Sequence, residues 1–230
     1  MKTSAEIRKE AYGLLTSGGW LSKLVATALV GLATGFLVTF LEILFFGLDE
    51  ILEPKSLAAS LCSSFFSLIL ESLTSFLFAY VFVAAAKKAP KTGVVFAGAR
   101  AAFSRPLGNA YLYLRLAVQT FLYFLLLIVP GIIAIYRYRQ AWFLKAEHPD
   151  WSAKKCIAES CRLAVGKKAE MFRLDCSYWV SITLAMLSTL LVLVHPLLIF
   201  LSLLFIVFVA WYLRLGQAIY YRELIDHDAT

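Results

Sequence analysis

The segment from Val129 to Arg139 reads VPGIIAIYRYR and places a proline-glycine pair and two arginines inside a long apolar stretch. The apolar sequence on both sides predicts helix, whereas Pro130 and Gly131 predict an interruption. Proline lacks a backbone amide and glycine tolerates positive φ, so this pair can reverse the chain while stranding few backbone groups. We therefore expect Pro130 and Gly131 to form a tight structural turn between two apolar helices.

The composition of the chain around this segment is typical of a membrane protein. Of its 230 residues, 61% are hydrophobic and only 16% are charged, whereas soluble domains carry roughly 25% charged residues. Apolar runs long enough to cross about 30 Å of hydrocarbon as helices recur along the sequence. Because unpaired backbone amides are costly in lipid, these runs should be helices. The sequence therefore predicts an all-α polytopic protein, with a single integral membrane domain over residues 1–230.

The placement of positive charge decides the predicted number of spans. The segment from Arg137 to Arg173 contains nine basic residues, counting both ends, and such segments favour the cytoplasmic side. One continuous helix through Pro130 would place them outside, whereas a turn at Pro130 and Gly131 returns them to the cytoplasm. Both termini are then cytoplasmic, in a bacterial inner membrane. The six predicted transmembrane helices cover residues 20–46, 57–86, 107–129, 132–147, 170–194 and 197–217.

Two amphipathic helices are predicted outside these spans. Residues 3–17 begin with the capping-box spacing of Thr3 and Glu6 and carry an apolar face that includes Ile7 and Ala11. This interfacial helix either anchors to the membrane or packs under the bundle, and we favour packing. Residues 152–165 form a cytoplasmic helix between spans four and five, which Ser152 caps and Gly166 ends.

Charged residues inside the predicted spans form the candidate binding site. A charge in the membrane costs at least about 2.5–3.5 kcal/mol unless it is paired or hydrated. We expect Glu42 or Glu71 to pair with Arg137, at a depth that Arg139 shares. Tyr136 and Tyr138 either bond to the same site or anchor the helix at the interface. The cluster either fixes helix packing or forms a small polar cavity for an anionic solute, a lipid headgroup or a proton relay.

The basic segment that follows is the candidate contact for lipid. Lysine and arginine near anionic inner-leaflet lipids contribute about 1 kcal/mol each. Since the basic residues flank apolar runs, nucleic acid is not an expected partner, and protein partners are left open. The expected headgroup contacts are Lys154, Lys155, Lys167, Lys168 and Arg173.

Enzymatic chemistry finds no support in the sequence. Motifs for metalloprotease, serine hydrolase and nucleotide-binding sites are missing. The three histidines are far apart, and no pair of the four cysteines has CxxC spacing. We therefore expect no catalytic residue, no metal and no cofactor.

Several segments resemble a family of uncharacterised bacterial integral membrane proteins, known by its domain-of-unknown-function number 975. The similar segments are Lys2 to Ala11 with Trp20, Pro130 to Tyr138, Glu159 to Trp179, and Gln217 to Tyr221. The resemblance implies six helices and no established activity. Asp175 and the Trp211-Tyr212 pair depart from the family pattern.

The sequence thus leads to two functional hypotheses. The first is a non-enzymatic inner-membrane protein that acts in envelope physiology by binding lipid, solute or a partner. The alternative is a transporter or channel-like protein for a small anionic or lipid-like substrate, using Arg137 and Glu71. The two hypotheses predict different effects of removing the charges of Arg137 and Glu71. Their loss should lower the abundance of a structural protein, whereas it should abolish substrate uptake by a transporter that still accumulates in the membrane.

Overall fold

The computed structural model describes residues 2–17, 19–29, 36, 40, 57–88, 93–190, 195 and 198–228. These residues form helices joined by short turns, and no strand occurs among them, which confirms the all-α fold class. The helices are α1 Ser4–Ser17, α2 Trp20–Leu29, α3 Leu57–Ala86, α4 Val94–Ser104, α5 Pro106–Leu126, α6 Ile128–Tyr138, α7 Ala141–Glu147, α8 Ala153–Leu163, α9 Lys168–Cys176, α10 Trp179–Ser188 and α11 Leu198–Asp228.

Two of the described helices are long and apolar enough to cross a membrane. They are Ser67–Ala86, within α3, and Leu201–Asp228, within α11. A core helix of a soluble protein meets the same criterion of length and composition. Six spans are therefore not confirmed, and membrane insertion is supported by two helices in the described part of the chain.

The N-terminal helix forms as the sequence predicts. The backbone N–H of Thr3 donates to Glu6 Oε2 at 2.7 Å, and the Glu6 N–H donates to Thr3 Oγ1 at 3.3 Å. This is the reciprocal capping box, which satisfies two free amides of the first turn. Ile7 and Ala11 are buried, and α1 packs against α11. The helix is thus part of the bundle.

The turn in the central segment lies a few residues before the predicted one. The rings of Tyr123 and Tyr138 lie 6.4 Å apart although 15 positions separate the two residues. This distance shows that the chain reverses between them. However, the pivot is Leu127, whose backbone is extended (φ −172°, ψ 156°). Pro130 and Gly131 lie in the first turn of α6, where a missing amide costs no hydrogen bond.

Gly131 has a packing role in this reversal. A Cβ atom at this position would lie 2.5 Å from the Phe124 ring. The glycine therefore lets α6 approach the end of α5 closely. The proline-glycine pair shapes the start of the returning helix, and the prediction that it forms the turn itself was wrong.

The predicted fourth and fifth spans are each divided into two helices. Residues 132–147 lie in α6 and α7, and residues 170–194 include α9 and α10. The Arg137 carbonyl accepts a hydrogen bond from Ser160 Oγ at 2.9 Å. The Ser177 carbonyl likewise accepts from Arg8 Nη1 at 2.7 Å. Each carbonyl is thereby engaged from outside its own helix, next to the point where the helix ends.

Candidate functional site

A cavity of about 430 Å³ lies between α3, α5, the α6–α7 junction and α11. Its volume is in the range of ligand-binding pockets. Its walls are mostly aromatic and aliphatic, and two arginines line it. The lining residues are Ser75, Phe78, Ala79 and Phe82 of α3, Tyr113 of α5, Arg139 at the junction, Trp142 and Phe143 of α7, and Ala210, Trp211 and Arg214 of α11.

Arg139 is held in place by Asp175. The guanidinium Nη1 donates to Asp175 Oδ1 at 3.1 Å, and Nη2 donates to Oδ2, which makes the pair bidentate. The Arg139 side chain is only 8% exposed and that of Asp175 21%. A bidentate arginine–carboxylate pair of this kind fixes the geometry of both groups. It also joins α9 to the α6–α7 junction.

Two further side chains complete the environment of Asp175. The Tyr136 hydroxyl donates to Oδ2 at 3.0 Å, and Gln217 Nε2 donates to Oδ1 at 3.3 Å. The Arg139 guanidinium also lies 4.4 Å from the centre of the Tyr136 ring, a cation–π contact. The carboxylate is therefore saturated by neighbouring donors and neutralises one arginine.

Arg214 supplies a second positive charge to the cavity. Its Nη1 donates to Gln217 Oε1 at 3.3 Å, and no ion pair joins it to any acid that the structure describes. Asp175 thus neutralises Arg139, whereas Arg214 lines the cavity without an ion pair among the described residues. Arginine binds carboxylate and phosphate groups through two parallel hydrogen bonds. The cavity is therefore suited to an anion with an apolar body.

The predicted pairing of Glu71 with Arg137 was wrong, and a pairing of Glu42 with Arg137 stays a prediction. Arg137 is exposed and donates from Nε to Cys161 Sγ at 3.1 Å, whereas Glu71 accepts a hydrogen bond from the Tyr113 hydroxyl. Successive helical residues are rotated by about 100°, so Arg137 and Arg139 point to roughly opposite sides of α6. Glu42 lies outside the described residues.

The two predicted tyrosines also separate. Tyr136 joins the Asp175 network, whereas Tyr138 is buried in a second apolar cluster with Leu112 and Ile157. The same helical rotation explains the division, because residues two apart cannot share one face. Of the six residues predicted for the binding site, Arg139 and Tyr136 belong to this network directly, and Glu71 reaches the cavity only through Tyr113.

Several residues of the site were missed by sequence reasoning. Asp175 was noted only as a departure from a family pattern, and Gln217 and Arg214 were not assigned to the site. A carboxylate in an apolar run needs a donor nearby, so Asp175 carried a usable signal. Its partner could not be named, because Arg139 and Asp175 are 36 positions apart.

The basic residues predicted to contact lipid differ in exposure. Lys154, Lys155 and Arg173 are exposed, whereas Lys167 and Lys168 are half-buried. Lys155 Nζ lies 3.8 Å from the centre of the Trp151 ring, and Lys167 pairs with Glu170 at 3.3 Å. Contact of these residues with lipid stays a prediction.

Within the residues that the structure describes, no group of histidine, cysteine and acidic side chains could hold a metal ion. Searches of family models, curated proteins and solved structures found no match to the chain.

Proposed function

We propose that this protein is a non-enzymatic, multi-pass protein of the bacterial inner membrane that binds an amphipathic anion in the cavity between α3 and α11. Arg214 carries the proposal, because it lines an aromatic cavity beside an arginine that is already neutralised by Asp175. An anionic group beside Arg214 would pair with its guanidinium. The apolar walls would cover an alkyl or aromatic body. Membership of the family named above stays part of this proposal.

The distribution of exposed apolar side chains supports a membrane location. Large apolar side chains are exposed along the end of α5 and the start of α6, for example Leu125 and Ile128, at 73% and 69%. Others lie on α10 and on the first half of α11, such as Met186 and Leu204, each 69% exposed. Exposed apolar patches of this extent are typical of protein or membrane contact sites. The orientation follows from the basic segment, whose preference for the cytoplasmic side favours cytoplasmic termini.

Binding can be tested with a brominated stearate, a long-chain carboxylate whose bromines quench tryptophan fluorescence on contact. Trp142 and Trp211 line the cavity, so their quenching in the purified full-length protein reports occupancy. We expect Arg214→Gln to raise Kd about tenfold or more, because hydrogen bonds to charged groups contribute about 1.5–3 kcal/mol.

The matched control is Arg100→Gln, which removes one exposed arginine of α4 that does not line the cavity. This control should leave Kd within about twofold of the wild-type value. A tenfold change would require the loss of about 1.4 kcal/mol of binding free energy. Equal quenching in the wild type and both variants would show that the probe partitions into detergent and does not enter the cavity. That result would refute the proposal.

A transporter is the second candidate, and the interrupted helices favour it. Arg139 lies at the break between α6 and α7, and Asp175 lies just before the break between α9 and α10. Many transporters bind substrate at such discontinuities. The charges concerned would be Arg139 and Asp175 instead of Arg137 and Glu71. Accumulation of the anion in proteoliposomes would favour transport, whereas binding without accumulation would favour the first proposal.

A further inference from the structure

A second, smaller cavity of about 280 Å³ lies where the α4–α5 connection meets the start of α8. It is separate from the central cavity and shares no lining residue with it. Three basic side chains line it, namely Arg105, Lys145 and Lys154. Asp150 is the acid that pairs with this group, through Arg105 at 3.4 Å, and its side chain is 87% exposed. Three positive charges therefore lie near one solvated negative charge.

Lys145 is the unusual member of this group because it is 2% exposed. Its Nζ donates to the carbonyls of Pro149 at 2.7 Å and Trp151 at 2.8 Å. An ammonium has three N–H donors, so one is left without an acceptor among the described residues. An anion beside the ammonium would stabilise its charged form and accept the remaining hydrogen bond.

The start of α8 adds backbone donors to the same cavity. Ser152 Oγ accepts from the Lys155 N–H at 3.3 Å. The N–H groups of Ala153 and Lys154 find no acceptor in the described part of the chain, and both residues line the cavity. The partial positive charge at a helix N-terminus favours anions, and free amides there bind phosphate oxygens.

We propose that this second cavity binds a phosphate monoester group. The buried ammonium, the guanidinium, the exposed lysine and the two amides together match a dianion with three acceptor oxygens. Lys145 and the α8 amides are held by the fold, so the site is largely formed before binding. Phe103 and Leu107 are exposed on either side of Arg105 in the sequence. They would cover the start of an alkyl chain if the phosphate belongs to a lipid.

The test uses the full-length protein in a nonionic detergent, titrated by calorimetry with two probes. One probe is inorganic phosphate, and the other is phosphatidic acid in mixed micelles, whose headgroup is a phosphate monoester. The variant Arg105→Gln/Lys154→Gln removes two of the three cations and leaves Lys145, whose carbonyl bonds hold the loop. The matched control Arg100→Gln/Lys9→Gln removes the same charge at two exposed residues that do not line the cavity.

We expect the first variant to weaken binding about tenfold or more and the control to stay within about twofold, since charged hydrogen bonds are lost only in the former. Binding of both probes supports a site for phosphate from either source, and binding of phosphatidic acid alone supports a lipid headgroup site. Equal weakening in both variants would show diffuse attraction by surface charge and overturn the proposal. Failure of both probes to bind the wild-type protein would also overturn it.

Discussion

Tyr178 lies buried between α9 and α10, and its hydroxyl group reaches Gly216 of α11. The side chain is 1% exposed, and a Cβ atom at Gly216 would lie 2.0 Å from the Tyr178 hydroxyl oxygen. The ring packs edge-on against Tyr212 at 4.7 Å between centres. Only glycine at position 216 leaves room for this contact. The absence of a side chain there lets α11 pack closely against Tyr178.

We expect Gly216→Ala to lower the free energy of unfolding by about 1–3 kcal/mol, because a Cβ atom in a packed contact forces the neighbouring side chain or backbone to move. The matched control is Gly13→Ala in α1, where a Cβ atom would meet nothing within 4 Å. That change should keep or raise stability by up to about 1 kcal/mol, since alanine favours helix. Thermal unfolding of the purified protein measures both. An unchanged or higher Tm for Gly216→Ala would contradict this packing account.

At the scale of the elements, Glu147 joins three parts of the chain. It ends α7, pairs with Lys87 just after α3, and accepts a hydrogen bond from the Tyr221 hydroxyl of α11 at 2.7 Å. Burial acts to raise the pKa of Glu147, but the bonds from Lys87 and Tyr221 outweigh it, so the pKa lies below the ordinary 4.5. A group with a lowered folded-state pKa stabilises the fold above its unfolded pKa.

We therefore expect Glu147→Gln to reduce stability by about 1–2 kcal/mol at neutral pH, where the wild-type carboxylate is charged. The difference should shrink as the pH falls through the lowered pKa, because protonation removes the same charge from the wild type. Asp226→Asn is the control, since Asp226 is exposed where it pairs with Arg222 at 3.5 Å, and an exposed carboxylate contributes little to such a pair. Unfolding of the wild type, Glu147→Gln and Asp226→Asn, measured at neutral and acidic pH, distinguishes the two variants. A constant difference across pH would contradict the role given to the carboxylate.

At the scale of the whole molecule, the buried and exposed apolar residues lie in different parts of the chain. The buried core includes Leu15 of α1, Val81 of α3, Leu144 of α7 and Leu215 of α11. The large exposed apolar side chains lie chiefly on other segments: α5 to the start of α6, α10, and the first half of α11. A soluble protein exposing so much apolar surface would associate, so we infer that lipid covers these segments.

This inference predicts the topology of the protein. Reporter domains fused after Glu147 and after Lys168 should report the cytoplasm, because the basic segment between them favours that side. A fusion after Val129, beside the Leu127 reversal, should report the opposite side. The protein should also stay in the membrane fraction after an alkaline wash. Periplasmic signals at both Glu147 and Lys168 would contradict the orientation, and release by the wash would contradict membrane insertion.

The sequence alone determined the features that depend on neighbours within one helical turn. Three local predictions agree with the structure. They are the capping box of Thr3 and Glu6, the cap at Ser152, and the end of α8 near Gly166, where φ is +72°. The predicted second span coincides with helix Leu57–Ala86, although its crossing of the membrane stays a prediction. Such features follow from periodicity and local hydrogen bonds, which a sequence displays directly.

The tertiary structure alone decided which charges meet and where the long helices break. Asp175 pairs with Arg139 because α9 packs against α6, and no local pattern shows that contact. The helices end near Arg137 and Ser177, whose carbonyls bond to Ser160 and Arg8, in segments distant along the chain. An apolar run shows the same sequence pattern whether it forms one helix or two. The groups that interrupt the helix come from elsewhere in the fold, so the run itself does not show the break.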